Sequence, residues 1–112
     1  MTDAVRAKAE ELKYAILNSE EYKNFDGYRR KLNDNPELKA KVNAFRAGNV
    51  QMQMQKASYG NADVQSFANE HVDLLSNSLV RDFLNAELIL CKMIRKVDSM
   101  ILSDVELELD FL

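Results

Sequence analysis

Apolar residues recur along the chain at spacings of three and four, which is the period of one face of an α-helix. In the first such segment, which we predict to end near Asn18, the apolar face is formed by Val5, Ala9, Leu12 and Ile16. The chain contains only three glycines and one proline, so it offers little material for the tight turns of a β fold. The pattern therefore predicts an all-α protein.

Residues that favour helix starts separate the apolar segments. Thr2 or Asp3 can cap the first helix, and Ser19 is a candidate N-cap for a second one, because a hydroxyl or carboxylate can accept a hydrogen bond from a free backbone N–H. A third helix is predicted to begin at Pro36, since proline is favoured at the first helical position. Asp34 or Asn35 can cap it.

The third and fourth helices carry a longer apolar pattern. The third is expected to run to Gly60 with a stripe made of Leu38, Val42, Phe45, Asn49, Met52, Lys56 and Tyr59. Gly48 interrupts it and favours a close approach by a neighbouring helix. The fourth is expected to start at Asn61 or Asp63 and to direct inward Val64, Phe67, Ala68, His71, Leu74 and Leu75.

The last helix is predicted to run from Leu79 to about Leu102, after Asn77 and Ser78. Its apolar positions include Val80, Phe83, Leu84, Leu88, Cys91, Ile94, Val97 and Ile101. This face is wider than a single coiled-coil seam, and the chain is short. We therefore expect one helical domain over residues 1–112 that self-associates as a homodimer or a larger oligomer.

Several residues on these patterns are candidates for contacts with partners. Phe45 and Met52 lie on the stripe of the third helix, whereas Met54 is expected to point elsewhere, where an exposed methionine suits an adaptable binding surface. Packing within the core or a dimer is the plainer interpretation of these methionines.

The C-terminal tail, residues 104–112, alternates acidic and apolar side chains. This period of two suits an extended strand, and it places Leu107, Leu109 and Phe111 on one side. We expect the tail to dock that side on a partner surface, which can be a second copy. The competing interpretation is a frayed or helical end that packs on its own bundle.

Charge is unevenly distributed although the formal net charge is only −3. The segment Lys23–Arg46 holds seven basic and three acidic residues, including Arg29, Arg30 and Lys31, whereas five acidic and no basic residues follow Lys96. An RNA-binding accessory protein that uses the basic segment is therefore an alternative function. A solvated charged face explains the same pattern, and no aromatic RNA-binding motif accompanies it.

The sequence shows no pattern of catalytic or metal-binding residues. His71 is the only histidine, and Cys91, the only cysteine, is expected to be buried and inert among apolar neighbours. We expect no enzyme activity and no cofactor. A single cysteine suits a reducing cytoplasm, and no apolar run is long enough to cross a membrane.

The order and spacing of these features resemble those of the YlbF/YmcA family of small bacterial helical proteins, which includes the YheA-like members. The resemblance covers about residues 5–101 and is carried by Ser19–Tyr22, Leu32, Asn35–Pro36, Leu38, Phe45 with its glutamine-rich continuation, Asn77–Val80, Phe83–Leu84 and Ala86–Glu87. It implies long antiparallel helices, self-association and a cytosolic regulatory role without catalysis.

The resemblance also implies a range of processes. Members of the family are associated with competence, sporulation and biofilm development, and with partners that govern messenger RNA processing. Some members use cysteines near the C-terminus for a shared metal cluster, but this chain has only Cys91 and lacks a cysteine pair there. The leading hypothesis is a non-enzymatic adaptor or regulator that binds other proteins.

Overall fold

The computed structural model describes residues 1–54, 66–67 and 69–105. Its helices are α1 (Asp3–Leu17), α2 (Glu20–Asn33), α3 (Pro36–Met54), α4 (Val72–Leu75) and α5 (Ser78–Leu102). Residues 66, 67, 69 and 70 are helical as well, and none of the described residues lies in a β-strand. The all-α prediction is confirmed.

Three helices begin at a side-chain cap, and two of these caps, Ser19 and Asn35, are ones that the sequence predicts. Each cap accepts a hydrogen bond from the backbone N–H three residues on: Tyr22 to Ser19 Oγ at 3.1 Å, Leu38 to Asn35 Oδ1 at 3.2 Å, and Val80 to Asn77 Oδ1 at 3.2 Å. These bonds satisfy backbone donors that have no partner inside the helix. Thr2 precedes α1 but makes no such side-chain bond.

The chain divides into two compact units. The terminal unit comprises Met1–Phe25 together with the described chain from Asn85 onward, and the central unit comprises the described residues of Asp26–Leu84. The helices α2 and α5 each contribute residues to both units.

The central unit contains most of the buried apolar side chains. They come from α2, α3 and the start of α5, and they are Leu32, Val42, Met52, Val80 and Phe83. Val42 and Val80 are completely inaccessible to solvent. Burial of Val42 and Met52, with Leu38, Phe45 and Asn49 half-buried, confirms the described part of the predicted stripe on α3.

The terminal unit buries much less, and here the predicted burial is partly wrong. No residue of α1 is fully buried, and Val5, expected on its inner face, is 58% exposed. On α5 the buried residues of this unit are Ala86 and Leu90. Of the apolar positions predicted on the last helix, Leu88, Cys91, Ile94 and Ile101 are exposed, and for Cys91 this contradicts the predicted burial.

The helical period explains the exposure of two of these residues, Leu88 and Cys91. Each residue is rotated by about 100° from the last, so Leu88 lies about 200° from both Ala86 and Leu90, on the far side of the helix. Cys91 is likewise rotated by about 100° from Leu90. Ile94 and Ile101 lie only about 40° and 20° from Leu90 around the helix, so the period does not account for their exposure.

The end of α5 agrees with the prediction that the helix stops near Leu102. Beyond it the chain makes a turn in which the N–H of Val105 donates to the carbonyl of Leu102 at 3.2 Å. The predicted extension of the third helix to Gly60, the start of the fourth at Asn61 or Asp63, and the tail residues 106–112 lie outside the described residues. Within the described part, no helix has the length and apolar character needed to span a bilayer.

Candidate interaction sites

An aromatic cluster in the central unit surrounds Phe45. Its ring stacks on Phe67 with centroids 5.4 Å apart and 16° between the planes, and it meets the edge of His71 at 5.1 Å. Phe67 and His71 are themselves 4.6 Å apart. Such contacts stabilise by about 1 kcal/mol per pair beyond the burial of apolar area. The cluster therefore joins α3 to the chain around residues 67–71.

His71 is oriented by a backbone contact. Its Nδ1 lies 2.8 Å from the carbonyl oxygen of Phe67. Because a carbonyl only accepts, Nδ1 carries the proton, and in the neutral ring Nε2 is then the acceptor. His71 is half-buried, and the described residues contain no group of three or more histidine, cysteine or carboxylate side chains placed to hold a metal ion.

Gly48 permits the close approach that the sequence suggests at this point. A Cβ added to Gly48 would lie 3.0 Å from Cε2 of Phe67 and 3.1 Å from its Cζ. Carbon atoms normally pack at about 3.5–4.0 Å, so a side chain here would press on the ring. The glycine thus lets Phe67 lie against the surface of α3.

Beside this cluster the central unit has an open cleft of about 420 Å³. Its lining mixes apolar, charged and polar side chains: Leu38, Lys41, Ala44, Glu70, His71, Asp73, Leu74 and Asn77. Lys41 is also 4.0 Å from Glu37 on the same helix, a loose pair at an exposed site. The cleft is a shallow, mixed surface.

The terminal unit has a groove of a different kind. It measures about 360 Å³ and is almost entirely apolar. Its lining comes from α1, the start of α2 and α5, namely Ala9, Leu12, Lys13, Ile16, Leu17, Tyr22, Leu90 and Ile94. Lys13 is the only charged residue in this lining, and its Nζ lies 4.7 Å from the centre of the Tyr14 ring. An apolar groove with one cation suits an apolar segment that carries negative charge.

The structure separates the residues that the sequence singles out for interaction. Phe45 is half-buried in the aromatic cluster, and Met52 is 8% exposed in the core of the central unit. Met54 is 82% exposed. Leu107, Leu109 and Phe111 lie outside the described residues. Only Met54 of the described candidates therefore presents its side chain to solvent.

The basic segment is partly neutralised within α2. Asp26 pairs with Arg29 and also with Nε of Arg30, the latter at 3.0 Å. The ammonium of Lys31 lies 5.7 Å from the centre of the Tyr28 ring. Because of these local contacts, α2 offers less positive charge to a partner than its consecutive basic residues suggest.

Sequence reasoning did not identify the groove. The sequence places Leu12 and Ile16 on the apolar face of the first helix and Ile94 among the apolar positions of the last one, and their common groove depends on how α1 lies against α5. The signal that could have pointed to it is the apolar face of α1 beside a final helix whose stripe is too wide for one neighbour. The contact of Phe45 with Phe67 and His71 also needed the tertiary structure.

A comparison with protein families gives a match over most of the chain. The family model described as control of competence regulator ComK, YlbF/YmcA, matches residues 5–106 of 112. The chain belongs to the YlbF/YmcA family. No curated protein and no solved structure gives a significant match. The family assignment confirms the resemblance seen in the helix caps and core positions, and it links the chain to a regulatory family.

Proposed function

We propose that this protein is a regulator without catalytic activity, and that it acts by binding other proteins through its terminal unit. The observation that carries the proposal is the unequal burial of apolar side chains. Most of the large apolar side chains that are exposed in the described residues belong to the terminal unit: Met1, Val5, Tyr14, Leu17, Leu88, Ile89, Ile94, Met100, Ile101, Leu102 and Val105.

Exposed apolar side chains at this density suit a protein-binding surface. The hydrophobic effect contributes about 25 cal/mol per Å² of apolar surface removed from water. A partner that covers several of these side chains therefore gains binding free energy. Self-association through the same surface is part of the proposal. A stable interface buries at least about 1,000 Å² in total, which long helices on two copies can provide.

The family supports a role in regulation. Its description concerns control of the competence regulator ComK, and we propose that this chain acts in a comparable developmental pathway, with messenger RNA processing as a further process in which it can take part. A cytoplasmic location and the lack of enzyme activity belong to the same proposal.

The geometry favours protein partners over RNA. RNA binding through α2 would need cations that are free to meet phosphates, and Asp26 already pairs with both Arg29 and Arg30. The groove in the terminal unit is instead apolar. RNA binding through Lys23–Arg46 therefore stays the second hypothesis, and its mark would be an affinity that falls steeply with salt.

The proposal is tested with two matched lysine substitutions at exposed positions. Ile89→Lys alters the terminal unit and Val50→Lys the central unit, where the side chains are 46% and 56% exposed. Tagged wild type and both variants are used to isolate partners from the source cells, and each partner is then purified and its affinity measured by calorimetry.

We expect Ile89→Lys to weaken binding of the purified partner at least tenfold, because a charge would enter an apolar interface. Val50→Lys should bind like the wild type. Equal affinity of all three proteins would contradict a binding surface on the terminal unit. Retention of RNA rather than protein, abolished by high salt, would support the second hypothesis instead.

A further inference from the structure

The outward side of α5 in the terminal unit carries a surface that we call the basic–apolar face. Its members are all exposed and are Leu88, Ile89, Lys92, Arg95 and Lys96. Successive helical residues turn by about 100°, so these five positions fall within an arc of about 120°. Lys92, in the middle of the arc, lies about 200° from the buried Leu90. The face is therefore turned away from the side of α5 that packs in the terminal unit.

The basic–apolar face has two ends of different chemistry. Leu88 and Ile89 form an apolar end and are 48% and 46% exposed. Lys92, Arg95 and Lys96 follow at helical spacings and form a cationic end. At a rise of about 1.5 Å per residue, the two ends are centred about 9 Å apart along the helix axis. A ligand that uses both ends must offer apolar surface and negative charge at about this separation.

The three cations are available to a partner. Within the described residues, none of Lys92, Arg95 and Lys96 forms an ion pair. The acidic residues of the same stretch of α5 are Glu87 and Asp98, and helical spacing places both outside the arc of the face. This differs from α2, whose neighbouring arginines are paired within their own helix.

The charge of this face is opposite to that of the whole chain, whose formal net charge is −3. A basic face on a negatively charged chain attracts an acidic partner to one side of the molecule, which fixes the orientation of the encounter. The two large apolar side chains favour a protein partner over RNA. Proteins hold unpaired bases mainly by stacking on aromatic side chains, and none of the five residues of the face is aromatic.

We propose that the basic–apolar face binds an acidic amphipathic helix of a partner protein. Apolar side chains of that helix cover Leu88 and Ile89. Its carboxylates, about two turns along, pair with Lys92, Arg95 and Lys96. The inference rests on the proposed function and adds the place of contact and the charge of the partner. Ile89→Lys puts its charge at the apolar end, opposite apolar side chains of the partner, so it weakens this contact too.

The test uses a synthetic alanine-based peptide of about 18 residues, which is long enough to form a helix. It carries two leucines and three glutamates at the spacing of the face itself. In two matched peptides, lysines replace the glutamates or alanines replace the leucines. Each peptide is titrated to millimolar concentration into the ¹⁵N-labelled full-length chain. We expect the acidic peptide to shift the amide signals of Leu88, Ile89 and Lys92, and each matched peptide to bind at least about fivefold more weakly.

Charge reversal on the chain provides the complementary measurement. Lys92→Glu combined with Arg95→Glu should weaken binding of the acidic peptide at least about tenfold, because attraction is replaced by repulsion. Arg6→Glu combined with Lys23→Glu makes the same change in net charge at exposed positions on other helices of the terminal unit. This control should bind like the wild type at physiological salt, where charges more than about 8 Å apart are largely screened.

A milder pair of substitutions keeps the test valid if the reversed chain fails to fold. Lys92→Gln combined with Arg95→Gln removes two exposed charges and should retain the circular dichroism spectrum of the wild type. We expect it to weaken binding of the acidic peptide about fivefold. Binding that is unchanged by this pair, or equal effects of the control pair, would overturn the proposed contact.

Two further outcomes would also overturn the inference. The first is the absence of shifts at Leu88 and Ile89 at millimolar acidic peptide. The second concerns an oligouridylate of about ten nucleotides, within the usual site size of single-strand binders. If it shifts these signals and the acidic peptide does not, the face binds phosphates. Peptide binding is measured without the natural partner, so loss of partner affinity in Ile89→Lys without peptide binding would leave the proposed function standing and remove this inference alone.

Discussion

The central and terminal units have similar sequence patterns but bury their apolar side chains to different extents. Both are helical and rich in apolar positions, yet the central unit buries Val42 and Val80 completely, whereas α1 in the terminal unit has no fully buried residue. The central unit closes its core with an aromatic cluster that joins α3 to the chain around residues 67–71. The terminal unit leaves an apolar groove and many apolar side chains in contact with water.

This difference shows that amphipathic helices alone do not determine what their apolar faces will do. A face that meets neighbours on several sides becomes core and supports the fold. A face that meets one neighbour keeps an edge that a partner, a second copy or a tail can cover. We therefore expect substitutions in the central unit to change stability and substitutions in the terminal unit to change binding.

The largest effect is expected for Phe45→Glu. The substitution removes the stacking with Phe67 and places a carboxylate among half-buried rings, which should lower the free energy of unfolding by about 3 kcal/mol or more. Chemical denaturation monitored by circular dichroism measures it. The matched change Val5→Glu, at a position 58% exposed, should shift stability by no more than about 0.5 kcal/mol. Similar losses for both would remove the distinction between the units.

A smaller effect is expected for Val42→Ala. Val42 is completely buried, so deletion of two methyl groups costs their burial and leaves a cavity, for a loss of about 2 kcal/mol. Val5→Ala in the terminal unit should be close to neutral. Thermal unfolding measures the stability of both variants. If Val5→Ala lost as much stability as Val42→Ala, the apolar face of α1 would have to be covered in solution.

Alanine substitutions at the two helical glycines are expected to change the free energy of unfolding by about 1 kcal/mol or less. Gly27→Ala should stabilise by about 0.5–1 kcal/mol, because alanine is the better helix former and, outside its own helix backbone, the added Cβ meets no described atom within 4 Å. Gly48→Ala should give no gain or a loss, since its Cβ would press on the Phe67 ring. Equal gains for both would mean that the ring moves aside freely.

The smallest effect on folding is expected for Ile101→Lys. Ile101 is 53% exposed, so the free energy of unfolding should change by less than about 0.5 kcal/mol. If the chain self-associates through the terminal unit, the same substitution should move the sedimentation profile towards the monomer. A wild-type chain that stays monomeric at high concentration would contradict self-association, and an oligomer unaffected by Ile101→Lys would place its interface elsewhere.

Part of the candidate sites could be predicted from sequence. The two methionines on α3 behave as helical spacing requires: Met52 is buried and Met54 is 82% exposed, because residues two apart do not share a helix face. The groove could not be predicted, because its walls come from residues far apart in the chain that only the packing of α1 on α5 brings together. The exposure of Cys91 was missed for the same reason.

What the sequence determined by itself is the helices and their starts. Ser19, Asn35 and Asn77 carry that information locally, since each cap bonds to a backbone N–H only three residues away. What only the tertiary structure decided is which part of each apolar stripe is covered. On α5 a broad stripe permits several orientations, and the neighbouring helices select the one that buries Ala86 and Leu90 and leaves Leu88 and Cys91 in water. Burial depends on the contacts between helices. The period of one helix restricts which of its residues can be buried together, but it does not determine which of them a neighbour covers.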